Sequence, residues 1–326
     1  MILPRPGTAV QSPIQSIAAP PESEFIECFG PQLPAARFLS TVYGKAAYYE
    51  LSATTSTTNA DTETTADGKP ERVVFIHGVQ TPALGMMPLV RCLRTAFPHA
   101  HFVLLDLWGH GLSDTPIVPH EAKLFHAQID ALLDELRWKS AHFVAFSFGA
   151  ATTVSYIAAG SGRVESVAFV APAGLLRSSD LTEQQRAYMR GGEELEEAAR
   201  EWILDFLEGG ALVVPRDWRR RVEQGEIIAE AVREWQMVHH PGHTASVIAM
   251  FRDGGVYDTH AEFVKVADNG VKSVVVLGEL DGVCSKQDIN KVGFENVAVV
   301  PQAGHAVVRD RAAEVSREIS RFWMTL

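Results

Sequence analysis

Largely apolar runs recur along the chain: Val73–Ile76, Phe102–Leu107, His142–Phe146, Ser166–Ala171, Val274–Leu277 and Val297–Val300. Each is short and unbroken, the pattern of a strand buried on both faces. Between them the apolar positions switch to helical spacing. Leu124, Phe125, Ile129, Leu132, Leu133 and Leu136 form one stripe, and Ala312, Val315, Ile319, Phe322 and Trp323 another. Strands alternating with helices predict an α/β fold, a mostly parallel central sheet with helices on both faces. Ahead of them, Arg37–Thr41 and Ala46–Ser52 predict an antiparallel hairpin turning at Tyr43-Gly44.

The rhythm breaks once. About a hundred residues separate Ala171 from Val274, far more than usually join neighbouring elements. The segment is helix-rich and carries Trp202, Phe206, Trp218, Trp235 and Met237. It is expected to be an inserted helical cap over the carboxyl edge of the sheet. The predicted organisation is an irregular N-terminal segment, 1–35; a core formed by 36–174 and 256–326; and a cap, 175–255. The Thr- and Ser-rich stretch Ala53–Lys69 is too polar to offset its ordering entropy and is predicted to be a mobile loop.

The candidate chemistry begins at Ser147. The strand His142–Phe146 runs into it, and Gly149, Ala150 and Ala151 follow. Small residues there let a helix lie close to the strand, so the serine occupies a tight turn at the sheet's carboxyl end. A hydroxyl becomes a good nucleophile only with a base, itself oriented by a third group. Asp281 and His305 each follow one of the last two candidate strands, so both loops open on the same edge as Ser147. Glu279 is the alternative acid, and Asp288 and Asp258 follow no strand directly. Gly304 suits a sharp turn before the imidazole.

Ala145-Phe146-Ser147-Phe148-Gly149 resembles the G-x-S-x-G nucleophile elbow of the α/β-hydrolase superfamily, with alanine for the first glycine. Asp281 lies in a segment like that family's Gly-x-x-Asp loop, and Gly304-His305 is like its Gly-His loop. His77-Gly78-Val79 resembles its oxyanion turn, and Asp106 to Asp114 is similar to its D-x-x-G-x-G-x-S-D loop. The resemblance implies the α/β-hydrolase fold and the chain order Ser, Asp, His. It implies Ser147, Asp281 and His305 as the catalytic residues, with the Val79 and Phe148 N–H groups as the oxyanion hole. His77 and His110 are expected to hold loops together. A serine at the elbow speaks against branches that use a carboxylate nucleophile.

The expected activity is hydrolysis of a carboxylic ester or lactone through an acyl-enzyme, and the aromatic, apolar cap with its tryptophans suggests a hydrophobic small molecule as the substrate. The alternatives are a C–C bond hydrolase and a ligand-sensing receptor that retains the triad. No cofactor or metal is expected. His239-His240-Pro241-Gly242-His243 invites a zinc reading, but the Pro-Gly pair breaks the helix that would align the rings. Gly109-x-Gly111 lacks the third glycine of a dinucleotide fingerprint. Trp218-Arg219-Arg220-Arg221 is flanked by acids and reads as a solvated helix face.

Charge and cysteine content narrow the setting. A formal charge of −11 argues against nucleic acid as a partner. Three scattered cysteines give no disulfide framework, and neither a secretory signal nor an apolar run of membrane-spanning length is seen. A cytoplasmic protein is expected, with its oligomeric state open.

Overall fold

The computed structural model describes residues 1–54, 70–192 and 194–326. The strands in chain order are β1 (Ser16–Ile17), β2 (Arg37–Thr41), β3 (Gly44–Leu51), β4 (Arg72–Ile76) and β5 (His101–Leu105). They continue with β6 (Thr115–Pro116), β7 (Ala141–Phe146), β8 (Val164–Val170), β9 (Lys272–Gly278) and β10 (Val297–Val300). Eight of them form one sheet in the order β10-β9-β8-β7-β4-β5-β3-β2. The pairs from β10 to β5 are parallel, and the leading hairpin adds β3 and β2 antiparallel at one edge. The fold is thus the mostly parallel sheet that the six apolar runs predicted. The expected mobile loop falls almost wholly on 55–69, outside the described residues.

The strands are apolar throughout because both faces are covered. Val74, Ile76, Val103, Leu105, Phe143 and Phe169 belong to one core. Their neighbours Val73, Phe75, Phe102, Leu104, Val144 and Ala168 belong to the other. Alternate residues thus enter opposite cores, as strand geometry requires. Helices Ala122–Glu135 and Phe148–Ala158 contribute to the first core, and Met87–Ala96 and Ala312–Trp323 to the second. The chain passes from β4 outward to β5 on one side and back to β7 on the other. This reversal opens a crevice at the carboxyl ends of β4 and β7, the usual ligand position in open α/β sheets.

Between β8 and β9, in the segment from Leu176 to Tyr257, lie helices Glu183–Arg190, Glu196–Glu208, Trp218–Glu223, Ala229–His239 and His243–Asp253, and His260–Asp268 follows them. The segment's two ends meet. Leu176 bridges Tyr257, and the Gly174 N–H donates to the Val256 carbonyl at 3.1 Å.

The N-terminal segment departs from the irregular expectation for 1–35. Glu22–Phe29 is a helix, and β1 pairs antiparallel with β6. Eight residues seldom hold a helix alone. Here Phe25 and Phe29, four apart on one face, pack edge-on to Trp235 at centroid distances of 5.2 and 6.0 Å. The partner is two hundred residues away, so no local window contains the reason for the helix.

Candidate active site

Ser147 lies between β7 and helix Phe148–Ala158 with φ 53° and ψ −116°. A non-glycine residue there is strained, and such strain persists only where the surroundings over-determine it. They do. The Ser147 N–H donates to the Val170 carbonyl at 3.0 Å. The Ser147 carbonyl accepts from Ala150 at 3.0 Å and Ala173 at 3.1 Å. The elbow also needs bare backbone beside it. A Cβ on Gly149 would lie 2.4 Å from the Ile76 carbonyl oxygen, so the new helix touches the end of β4. Ala145, which stands where the family motif has glycine, is fully buried in the first core.

The two loops after β9 and β10 bring the other candidates to the serine. The His305 Nε2 is 2.9 Å from the Ser147 Oγ. Its Nδ1 is 3.0 and 3.1 Å from the two Asp281 carboxylate oxygens. The Asp281 side chain is fully buried, and one of its oxygens also accepts the Val283 N–H at 2.8 Å. With Nδ1–H donating to the carboxylate, Nε2 is left to accept the serine proton. The competing acids have other work. Glu279 accepts the Gln302 N–H at 2.8 Å, Asp288 caps helix Lys286–Lys291, and Asp258 accepts from Ser178 N–H.

One local expectation is corrected. Gly304 has open space around it and no left-handed backbone; the positive φ of this loop, 53°, belongs to Gln302. The crowding falls on Gly278, whose Cβ would lie 2.4 Å from the carbonyl oxygens of both Ala303 and Gly304. The β9 and β10 loops press on each other at that point.

Val79 follows the His77-Gly78 turn at the end of β4 and lines the same cavity as Ser147. Phe148 is the first residue of its helix, where N–H groups lack intrahelical acceptors. The turn is locked by imidazoles. His77 Nε2 accepts the Leu107 N–H at 2.9 Å, and its Nδ1–H donates to the Gly78 carbonyl at 2.6 Å. His110 Nε2 accepts the Gln80 N–H at 2.9 Å. Both rings are buried, which disfavours the cation; His77 falls to about 4, and His110 well below the ordinary imidazole value. They are neutral supports.

The histidines read as zinc candidates serve the same purpose. His240 donates to the Ser113 carbonyl at 2.9 Å and His243 to the Gly109 carbonyl at 2.8 Å. Among the described residues no group of three or more His, Cys, Asp or Glu side chains is arranged to hold a metal. Gln236 completes the latch, donating to the Gln80 carbonyl at 2.6 Å and accepting the Gly111 N–H at 2.7 Å. Gln236 and Gln80 were not legible in advance, because amides carry no spacing signal of their own.

A cavity of about 600 Å³ lies over Ser147 and His305. Its walls include Val79, Phe146, Leu207, Val213, Ile227 and Ile228, but also Glu208, Glu230, Arg233, Arg309 and Asp310. The tryptophans that suggested a hydrophobic substrate are turned elsewhere. Trp235 packs on Phe25 and Phe29, and Trp202 packs on Tyr188, Phe206 and Phe251. They hold the helical segment together and do not line the cavity. The basic cluster is dispersed: Arg220 pairs with Asp217, Arg221 with Glu226, and Arg219 lies over Trp218. All three cysteines are free, and among the described residues no helix is long and apolar enough to cross a membrane.

No curated protein sequence matches the chain. Many solved structures share its fold. A hydrolase from Pseudomonas aeruginosa superposes with a TM-score of 0.62 at 19% identity, covering 88% of this chain and 97% of its own. The enol-lactonase from Burkholderia xenovorans gives 0.61 at 18% identity, covering 88% and 99%. The meta-cleavage product hydrolase from Pseudomonas fluorescens gives 0.58 at 17%, covering 89% and 97%. The model of the alpha/beta hydrolase family matches residues 73–318, from the strand before the His77-Gly78 turn through most of the C-terminal helix, and the chain belongs to that family.

Proposed function

We propose that the protein is a serine hydrolase that cleaves a carboxylic ester or lactone of a small molecule through an acyl-enzyme. Ser147 is the nucleophile. His305 takes its proton and later delivers it to the leaving oxygen. Asp281 holds the imidazole in the useful tautomer and stabilises the imidazolium. The oxyanion is held by the Val79 and Phe148 N–H groups, each such donor being worth about 2.7–4 kcal/mol. Water, activated by the same imidazole, releases the acid. Helices between β8 and β9 act as the cap, and the apolar wall from Leu207 to Ile228 receives the hydrophobic part of the substrate. The setting is cytoplasmic, a reading supported by three unpaired cysteines.

The observation that most supports this reading is the single line of contacts from Ser147 Oγ through His305 to Asp281. A fluorophosphonate probe should label the wild-type protein at Ser147, and aryl esters or lactones should turn over. Ser147→Ala should remove the label and lower kcat by at least about 10³-fold. A folded wild type that neither takes the label nor cleaves any member of an ester and lactone panel would refute it.

A further inference from the structure

The proposed bond cleavage leaves one charge in the cavity unused. Arg309 lies in the short helix Val307–Asp310, four residues beyond His305. Its guanidinium carbon is 5.7 Å from the centroid of the Phe146 ring, the residue that leads into Ser147. The same ring packs against the His305 imidazole at 5.3 Å. Arg309 therefore stands beside the reacting centre.

The other cations of the wall are matched. Arg233 pairs with Glu208 at 2.6 Å and with Glu230 at 3.2 Å, and Arg221 pairs with Glu226 at 2.7 Å. Among the described residues, the Arg309 side chain makes neither a hydrogen bond nor an ion pair. Asp310, next to it in sequence, is exposed. Burial and the neighbouring Arg233 lower the Arg309 pKa to about 10, against the more distant Asp310, Glu230 and Glu208 carboxylates, which raise it; Arg309 stays charged at neutral pH. A partly buried cation with no anion in contact is costly, and the protein keeps one in the cavity wall beside its nucleophile.

We propose that Arg309 is a specificity-determining residue that binds a carboxylate of the substrate, so that the preferred ester or lactone carries a free acid group. This rests on the serine-hydrolase reading and names its substrate class. A guanidinium presents two parallel N–H donors to a carboxylate, and partial desolvation inside the cavity strengthens the pair. A dianion such as a phosphate monoester fits less well, because the Glu208 and Glu230 carboxylates line the same wall. The apolar face of the Phe146 ring keeps the guanidinium in place before substrate arrives.

Two measurements separate this inference from the reading beneath it. The first compares 4-nitrophenyl hydrogen glutarate with its uncharged methyl ester. Wild type should favour the acid by at least tenfold in kcat/KM. Arg309→Gln should lose that preference, and Arg309→Lys, which retains a point charge and the apolar stem, should keep part of it. The second is calorimetric titration of monomethyl glutarate, a monoanion, into Ser147→Ala, where no turnover is needed; binding should vanish when Arg309→Gln is added. Equal rates for the two esters in wild type, with no binding of monomethyl glutarate, would overturn the inference and leave the hydrolase reading intact. Arg309-dependent binding of monomethyl glutarate in a protein that takes no fluorophosphonate label and cleaves no member of the ester and lactone panel would sink the hydrolase reading and uphold the anion site.

Discussion

Gly78 and Ser147 stand so close that a Cβ added to the glycine would lie 2.9 Å from the Cβ of the serine. The turn after β4 and the elbow after β7 are therefore one packed unit, although seventy residues separate them. At Gly78 the obstructing atoms belong to the side chains of Ser147 and Phe146; at Gly149 they are the backbone carbonyls of Ile76 and His77. The overlap at Gly149 is deeper, 2.4 Å against backbone that cannot yield; at Gly78 it is 2.9 Å, and because the Ser147 Cβ is fixed to its own backbone the turn itself must shift. Gly149→Ala should lower stability at or beyond the upper end of the about 1–3 kcal/mol typical of overpacking. Gly78→Ala should stay folded but lose most of its activity, because the turn is displaced from the serine. Denaturant titration with ester kinetics on both variants checks this; a Gly149→Ala protein as stable as wild type would contradict it.

Asp281 and Asp288 are both in the loop region after β9, yet only Asp281 reaches His305. Asp281→Asn keeps the shape and reverses the tautomer that the histidine is held in. It should lower kcat by roughly 10³–10⁴-fold, the scale seen when the acid of a serine triad is converted to its amide. Asp288→Asn touches a helix cap and an exposed ion pair with Lys291, and should change kcat less than about twofold while costing about 1 kcal/mol of stability. Comparable losses of kcat in the two variants would show that the carboxylate at 281 does not orient the base.

Acid should unfold this protein early. His77, His110, His120, His240 and His243 are buried, and burial lowers each pKa: to about 4 for His77 and His120, and to about 3 for His243. In the unfolded chain the same rings titrate near about 6.5. Between roughly pH 6.5 and 4 the unfolded chain binds more protons than the folded one, so stability is full above that window and is lost as pH falls through it. Asp106 works the other way. Burial raises its carboxyl to about 6, so the folded chain holds the extra proton and gains stability on acidification. Each large displacement is worth on the order of 3 kcal/mol. Asp253 and Glu208, also raised by burial, act with Asp106, but the five buried histidines outweigh them, so Tm should drop on the order of 10 °C between pH 7 and pH 4.5. A Tm that holds or rises over that interval would refute this account.

The fold and the meeting of Ser147, Asp281 and His305 were legible in the residues because their signals are local or ordered. Unbroken apolar runs mean strands covered on both faces, and the partition of Val74 and Phe75 into opposite cores is that signal seen in space. Ser147, Asp281 and His305 each follow such a run, and parallel strands bring such loops to one edge. What the residues could not announce depends on partners far along the chain. The helix Glu22–Phe29 exists because Trp235 receives Phe25 and Phe29. The cap's tryptophans looked like a substrate wall because aromatic content has no direction until packing assigns one. His240 and His243 became latches only when the cap met the loop at Gly109–Ser113. Arg309 was one arginine among many until the fold set it beside Phe146 with no anion in contact. Periodicity and order along the chain determine which elements form and which loops converge; charge complementarity, burial and close backbone approach exist only between surfaces, and so only the folded chain decided them.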